Sequence, residues 1–114
     1  MLPRLNYLEL TSDDVARTRS FYASAFGWDF TEFAPTYSAT TSDDTDVGLT
    51  GEPDAQSAPV LPVIEVRGLE AVRDAVRAGG GAIVKDIFAF PGGRRFHFRD
   101  PDGHMLAVWE RAEE

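Results

Sequence analysis

The sequence predicts an α+β fold in which two βαβββ modules form curved mixed sheets around a shared concave cavity. The order strand, helix and three strands occurs twice along the 114 residues. A single shift along the chain superposes Val15 on Leu69 and Gly27 on Gly81, as an old internal duplication would leave them. A hydrophilic linker at about residues 53–58 separates the halves. We therefore expect one domain over residues 1–114, with module 1 at about residues 3–52 and module 2 at about residues 59–112.

The first module begins with a strand at residues 5–11, because apolar and polar residues alternate there. This alternation places Leu5, Tyr7 and Glu9 on one face of the strand. A helix follows, since apolar residues recur at helical spacing from Val15 onwards. Its N-terminal cap is one of Ser12, Asp13 and Asp14. Gly27 is in the right place for a left-handed C-cap, and the remaining strands of this module are expected at residues 28–33, 37–41 and 47–50.

The second module repeats this order after the linker. An apolar, β-branched strand at residues 59–66 precedes a helical stripe that the glycines at residues 79–81 end. Strands are then expected at residues 82–88, 94–99 and 105–110, with a loop at residues 89–93. The last two strands form a β-hairpin, because Asp100-Pro101-Asp102-Gly103 has the composition of a tight turn.

The charge and composition exclude several classes of function. The formal net charge is −8, which disfavours nucleic acid and anionic membranes as partners and favours a small hydrophobic or cationic molecule. The absence of cysteine excludes disulfides and thiolate metal sites. No apolar run has the length of a membrane span or a secretion signal. We therefore expect a cytoplasmic protein.

Three motifs give the chain a resemblance to a known family. Phe21-Tyr22, Phe26-Gly27-Trp28 and the late Phe98-Arg99-Asp100-Pro101-Asp102-Gly103-His104 resemble the vicinal oxygen chelate superfamily, which includes glyoxalase I, extradiol dioxygenases and bleomycin-binding proteins. The resemblance covers nearly the whole chain. It implies the paired-module fold, a small-molecule ligand and a homodimer. It leaves the activity open, because this fold hosts many functions.

The resemblance also implies where metal ligands would lie in the metal-binding members. These positions correspond to Tyr7, Leu61 and Ala107, and the fourth falls within residues 47–51, which contain no His, Asp, Glu or Gln. Leucine and alanine offer no lone pair, and a neutral tyrosine is a poor ligand for a divalent ion. We therefore expect no metal and no cofactor. The alternative is a divalent metal held by a rebuilt site that uses His97 with Glu9 or Glu65.

We expect the ligand-binding site on the concave face of the sheets. The ligand-binding candidates are Tyr7, Glu9, Tyr37, Leu61, Val63, Met105, Ala107 and Trp109. Glu9 and Tyr7 are also the candidate catalytic pair, with Glu9 as a general base or as an anchor for a cationic group of the ligand. In the alternative interpretation, Glu9 lies at the rim or forms an ion pair with an arginine such as Arg94, Arg95 or Arg99.

Two functional classes follow. The first is a metal-free protein that binds a small molecule, as bleomycin-binding proteins do. The second is an enzyme related to lactoylglutathione lyase, or a lyase or dioxygenase of the same superfamily. A degenerate module without a ligand is a third possibility, which a closed core without a pocket would support.

Overall fold

The computed structural model describes residues 1–113. Two helices and eight strands follow one another as β1 (Arg4–Thr11), α1 (Val15–Phe26), β2 (Phe30–Ala34), β3 (Tyr37–Thr40), β4 (Asp46–Thr50), β5 (Val60–Glu65), α2 (Leu69–Ala78), β6 (Ala82–Phe90), β7 (Gly93–Arg99) and β8 (Met105–Arg111).

The eight strands form one curved sheet in the order β2-β3-β4-β1-β5-β8-β7-β6. The two βαβββ units meet edge to edge through β1 and β5, which run antiparallel. Within each unit the first strand pairs in parallel with the last, β1 with β4 and β5 with β8. The sequence-based prediction of two βαβββ modules with mixed, curved sheets is therefore confirmed.

The helix α1 begins and ends as local side-chain chemistry dictates. Of the three candidate caps, Asp14 is the N-cap, and its side chain accepts a hydrogen bond of 3.0 Å from the backbone N–H of Arg17. Gly27 ends the helix with φ 70°, a left-handed conformation that a side chain would strain. Trp28 stacks on Tyr22 and Phe26. The strand β2 starts at Phe30, where pairing with Thr40 begins, two residues later than predicted.

The end of β6 and the face of Leu5 also differ from the prediction. Residues 89 and 90 belong to β6, because Ala89 pairs with Arg94 and Phe90 with Gly93. The predicted loop at residues 89–93 is therefore a tight turn at Pro91 and Gly92. Leu5 does not share a face with Tyr7, because the register of β1 on β5 shifts between these two residues. Such a bulge inserts an unpaired residue and reverses the alternation before it.

The two faces of the sheet have separate cores. On the convex face, α2 covers a cluster of Val66, Leu69, Phe96 and Val108. On the concave face, Leu61, Val63 and Ala107 form a second cluster. This second cluster is the floor on which the candidate site is built. No helix within residues 1–113 combines the length and the apolar character that a membrane span requires.

Candidate functional site

The concave face encloses an open cavity of about 780 Å³. Both modules contribute to it, and the cavity therefore lies across the junction of β1 and β5. This volume is in the range of small-molecule sites. The lining residues are Tyr7, Glu9, Phe33, Ala34, Tyr37, Ala39, Thr40, Thr41, Thr50, Glu52, Asp54, Val63, Phe88, Phe90, Pro91, Gly92, Arg95 and Trp109.

Aromatic rings form the opposing walls of the cavity. On the first-module side, the rings of Phe33 and Tyr37 lie 6.4 Å apart between centroids. On the second-module side, Phe90 and Trp109 lie 6.1 Å apart. Phe88 continues this second wall. Aromatic walls with a few polar groups are typical of pockets for small organic molecules.

A pair of tyrosines connects β1 with β3 by passing over Gly48 of β4, the strand that lies between them. The hydroxyls of Tyr7 and Tyr37 are hydrogen-bonded to each other. A Cβ at residue 48 would overlap the Tyr7 hydroxyl, so the tyrosine pair requires glycine at this point of β4. Burial, together with the neighbouring phenol, raises the pKa of Tyr7 well above its usual value, and burial also raises the pKa of Tyr37. Both phenols therefore stay neutral and keep their protons.

Beside the tyrosines lies a buried ion pair. The guanidinium of Arg95 faces the carboxylate of Glu9 through two contacts of 3.3 and 3.4 Å. The side chains are 13% and 11% exposed. Arg95 also lies against the rings of Phe88 and Phe90, with its Cζ 5.5 and 5.7 Å from their centroids. Of the three arginines considered as partners of Glu9, the structure selects Arg95.

The predicted linker is tied to the second module and forms part of the cavity rim. Asp54, which lines the cavity, forms a salt bridge with Lys85 on β6. The backbone carbonyl of Gln56 lies 2.7 Å from Nδ1 of His97, a contact that assigns the proton to that nitrogen. His97 is fully buried and its Nε2 has no hydrogen-bond partner. Burial lowers the pKa of His97, which keeps the imidazole neutral.

The positions that the resemblance gives to metal ligands do not fit a divalent cation. Leu61 and Ala107 are fully buried and carry no donor atom. Tyr7 is a neutral phenol, and within residues 47–51 the space at Gly48 is taken by the tyrosine pair. Divalent ions need several converging imidazole or carboxylate donors.

The side chains considered for a rebuilt metal site do not gather as a group of three ligands among the described residues. Glu9 faces Arg95, and Glu65 is held by Asn6 and Arg111. His97 contacts the carbonyl of Gln56 through Nδ1 alone. Within residues 1–113, three metal-ligating side chains come together at one place, the group formed by Asp100, Asp102 and His104. This group is the β7–β8 turn, where Asp100 accepts backbone hydrogen bonds of 2.9 Å from Asp102 and His104, so turn geometry explains it.

The structure brings five of the eight candidate ligand-binding residues to the cavity surface: Tyr7, Glu9, Tyr37, Val63 and Trp109. Leu61 and Ala107 lie beneath that surface, in the floor cluster. Met105 packs against the floor cluster and is not among the lining residues.

Phe33, Phe88, Phe90 and Arg95 also line the cavity, although none of them was among the predicted ligand-binding residues. A signal for Arg95 was present. The turn at residues 100–103 fixes the hairpin register, which sets Arg95 opposite Trp109. Residues directly opposite each other in a hairpin share a face of the sheet, so Arg95 follows from Trp109.

Comparisons with solved structures find the same fold. NAD-dependent benzaldehyde dehydrogenase from Legionella pneumophila matches with a TM-score of 0.77 at 17% identity, over 94% of this chain and 99% of that chain. A variant of Streptomyces coelicolor methylmalonyl-CoA epimerase in complex with 2-nitronate-propionyl-CoA matches with a TM-score of 0.75 at 18% identity, over 99% and 100% of the two chains. The Mn(II)-bound glyoxalase from Novosphingobium aromaticivorans matches with a TM-score of 0.66 at 21% identity, over 95% of this chain and 38% of that chain.

At these identities the structural matches show a shared fold. Among curated proteins, no sequence matches this chain at a significant level. The family model described as Glyoxalase/Bleomycin resistance protein/Dioxygenase superfamily matches residues 4–108, which include the first strand, both helices and most of the last strand. The expected resemblance is therefore confirmed, and this chain belongs to the glyoxalase/bleomycin resistance protein/dioxygenase superfamily.

Proposed function

We propose that this protein binds a small, largely apolar or cationic molecule in the cavity between its modules, without a metal ion. The observation that carries the proposal is an open cavity of about 780 Å³ with aromatic walls, beneath which Leu61 and Ala107 occupy positions that metal ligands would need. An apolar floor stabilises an organic ligand through surface burial. It offers a metal ion no ligands.

The charges around the cavity favour a neutral or cationic ligand. Glu9 is balanced by Arg95, and Asp54 by Lys85. Glu52 adds a further negative charge to the lining. A smaller adjoining pocket of about 260 Å³ includes the acidic residues Asp43, Asp44 and Asp46 together with Arg111. This surplus of carboxylates, with the net charge of −8, disfavours anions.

Two measurements test the proposal. The first is the metal content of untagged protein purified without chelator, determined by elemental mass spectrometry. We expect less than about a tenth of an equivalent of Zn, Ni, Mn or Fe, even after incubation with each ion, since true sites of this kind bind tightly. Near-stoichiometric metal would overturn the metal-free proposal.

The second measurement is the melting temperature in the presence of three probes of similar shape. We expect 2-naphthylmethylamine and 2-methylnaphthalene to raise it and 2-naphthoate to leave it unchanged. Phe33 and Phe26 supply matched variants, because they are 61% and 60% exposed and Phe33 alone of the two lines the cavity. The variant Phe33→Ala should weaken the shift, whereas Phe26→Ala should preserve it. A shift from naphthoate alone would contradict the proposed ligand charge.

An enzyme is the second candidate function. The observation that favours it is that Glu9 and Tyr7 line the same cavity from one strand, where the carboxylate could act as a general base. Such an enzyme would be a metal-free relative of lactoylglutathione lyase or of the dioxygenases in this superfamily. The test is turnover of the methylglyoxal–glutathione hemithioacetal by the wild type and by Glu9→Gln. A general base should lose orders of magnitude in rate on this change, whereas binding of 2-methylnaphthalene should persist.

We further infer a cytoplasmic homodimer built from single-domain chains. Exposed Phe21, Phe26 and Trp28 form an apolar surface at the end of α1, and apolar surfaces of this kind often mark protein contacts. Light scattering coupled to size-exclusion chromatography should give twice the chain mass. A measured particle mass that stays at the 12.5 kDa of one chain over a wide concentration range would refute the dimer. Cell fractionation tests the location.

A further inference from the structure

The tyrosine pair leaves one hydrogen-bond donor without a protein acceptor. Each phenol has one O–H donor, and within residues 1–113 the hydroxyls of Tyr7 and Tyr37 bond to each other and to no other protein group. One of the two protons is used in that bond, and the other remains free. Both side chains line the cavity.

The neighbouring carboxylate does not use this free proton. Glu9 lies close enough to act electrostatically on both phenols, but its two oxygens face the guanidinium of Arg95. An unused donor in a cavity with aromatic walls is costly unless water or a ligand accepts from it. The pair therefore presents a neutral O–H donor to the cavity beside Gly48.

We infer that the bound molecule carries a carbonyl oxygen that accepts a hydrogen bond from the pair of Tyr7 and Tyr37. The inference rests on the proposed small-molecule function and names the ligand class. A carbonyl oxygen is a neutral acceptor, so it matches a cavity whose charges disfavour anions. Arg95 and Glu9 act on both phenols with opposite sign, and Glu9 has the larger effect, so the attraction for the acceptor comes from the phenol O–H itself. The tyrosine pair thus binds the carbonyl oxygen of the ligand through a hydrogen bond alone.

The test compares two probes that differ only in the acceptor, 2-acetylnaphthalene and 2-isopropenylnaphthalene. We expect calorimetry to show that the ketone binds about fivefold to tenfold more tightly, as one neutral hydrogen bond predicts. Infrared spectroscopy with a ¹³C-labelled carbonyl should show a lower stretching frequency for the bound ketone than in cyclohexane.

Single-atom variants separate this contact from general packing. The double variant Tyr7→Phe/Tyr37→Phe removes both donors and should reduce the preference for the ketone to about onefold. Each single variant leaves one phenol O–H without a protein acceptor, so it should retain part of the preference. Tyr22→Phe is the matched control, since Tyr22 stacks on Trp28 outside the cavity, and it should retain the full preference. If the double variant fails to fold, the infrared band of the wild type and the ketone preference of Tyr22→Phe decide the result: an unshifted band, or an equal preference for both probes in Tyr22→Phe, overturns the inference.

The possible failures are distinguishable. Equal binding of the two probes with an unshifted carbonyl band would overturn the carbonyl inference and leave the small-molecule proposal standing. Binding of neither probe would overturn both.

Discussion

The ion pair of Glu9 and Arg95 permits a quantitative test of how the cavity is stabilised. Replacing Arg95 by Met removes the positive charge and leaves the carboxylate of Glu9, which is 11% exposed, without a cation. Breaking a buried pair in this way typically costs about 3–5 kcal/mol. The contacts here are 3.3 and 3.4 Å, longer than the roughly 2.8 Å of strong charged hydrogen bonds, and the cavity is open. We therefore expect a loss of about 2 kcal/mol for Arg95→Met.

Removing the negative partner instead should cost less free energy of unfolding. In Glu9→Gln, Arg95 keeps the rings of Phe88 and Phe90 beside its guanidinium, so we expect a loss of about 1 kcal/mol. The double variant removes both charges, and its loss should be smaller than the sum by about 1 kcal/mol, since no uncompensated charge remains.

Urea denaturation of the four proteins measures these values from the free energy of unfolding. Arg94→Met is the control, because Arg94 pairs with Glu70 and Glu110 outside the cavity, and its effect should be smaller than that of Arg95→Met. Additivity of the two cavity substitutions within about 0.5 kcal/mol would refute the reasoning, because it would mean that the charges do not interact.

Three further predictions concern single positions. Gly48→Ala should destabilise the protein by about 1–3 kcal/mol, because the new Cβ overlaps the Tyr7 hydroxyl; a second substitution, Tyr7→Phe, should recover part of the loss in melting temperature. Because burial lowers the pKa of His97 below 6.5, the unfolded chain takes up this proton first, and stability should fall as the pH drops below 6.5; in His97→Gln the melting temperature should depend less on pH in that window. Burial acts to raise the pKa of Asp46, but hydrogen bonds from nearby hydroxyl and backbone groups together outweigh it, so the pKa lies below 3.8. Its stabilising contribution should be complete above pH 3.8 and lost below it, and an acid titration in which Asp46→Asn keeps the wild-type profile would contradict this.

The sequence predicted those parts of the fold that local chemistry determines. Asp14 and Gly27 bound the first helix through capping, and the turn at residues 100–103 sets the register of the last hairpin. Ala107 and Trp109 share one face of β8, because side chains alternate along a strand.

The parts that were not predicted depend on irregular pairing. The bulge at the start of β1 turns Leu5 away from the face of Tyr7, and nothing in the local sequence marks it. The register of β6 on β7 also shifts twice, before and after Lys85, so alternation could not assign Phe88 and Phe90 to a face. The pairing of Glu9 with Arg95 joins residues from different modules, and the choice among three arginines required the assembled sheet.

The antiparallel pairing of β1 with β5 is the sheet connection between the two modules. The first module contributes the tyrosine pair and Phe33 to the cavity, and the second module contributes Phe88 and Phe90. A small change in the twist between β1 and β5 therefore alters the width of the cavity without changing any lining residue. Substitutions of β1 and β5 residues that face away from the cavity, such as Leu8 or Ile64, can thus evolve a different ligand size while each module keeps its own contacts to the ligand.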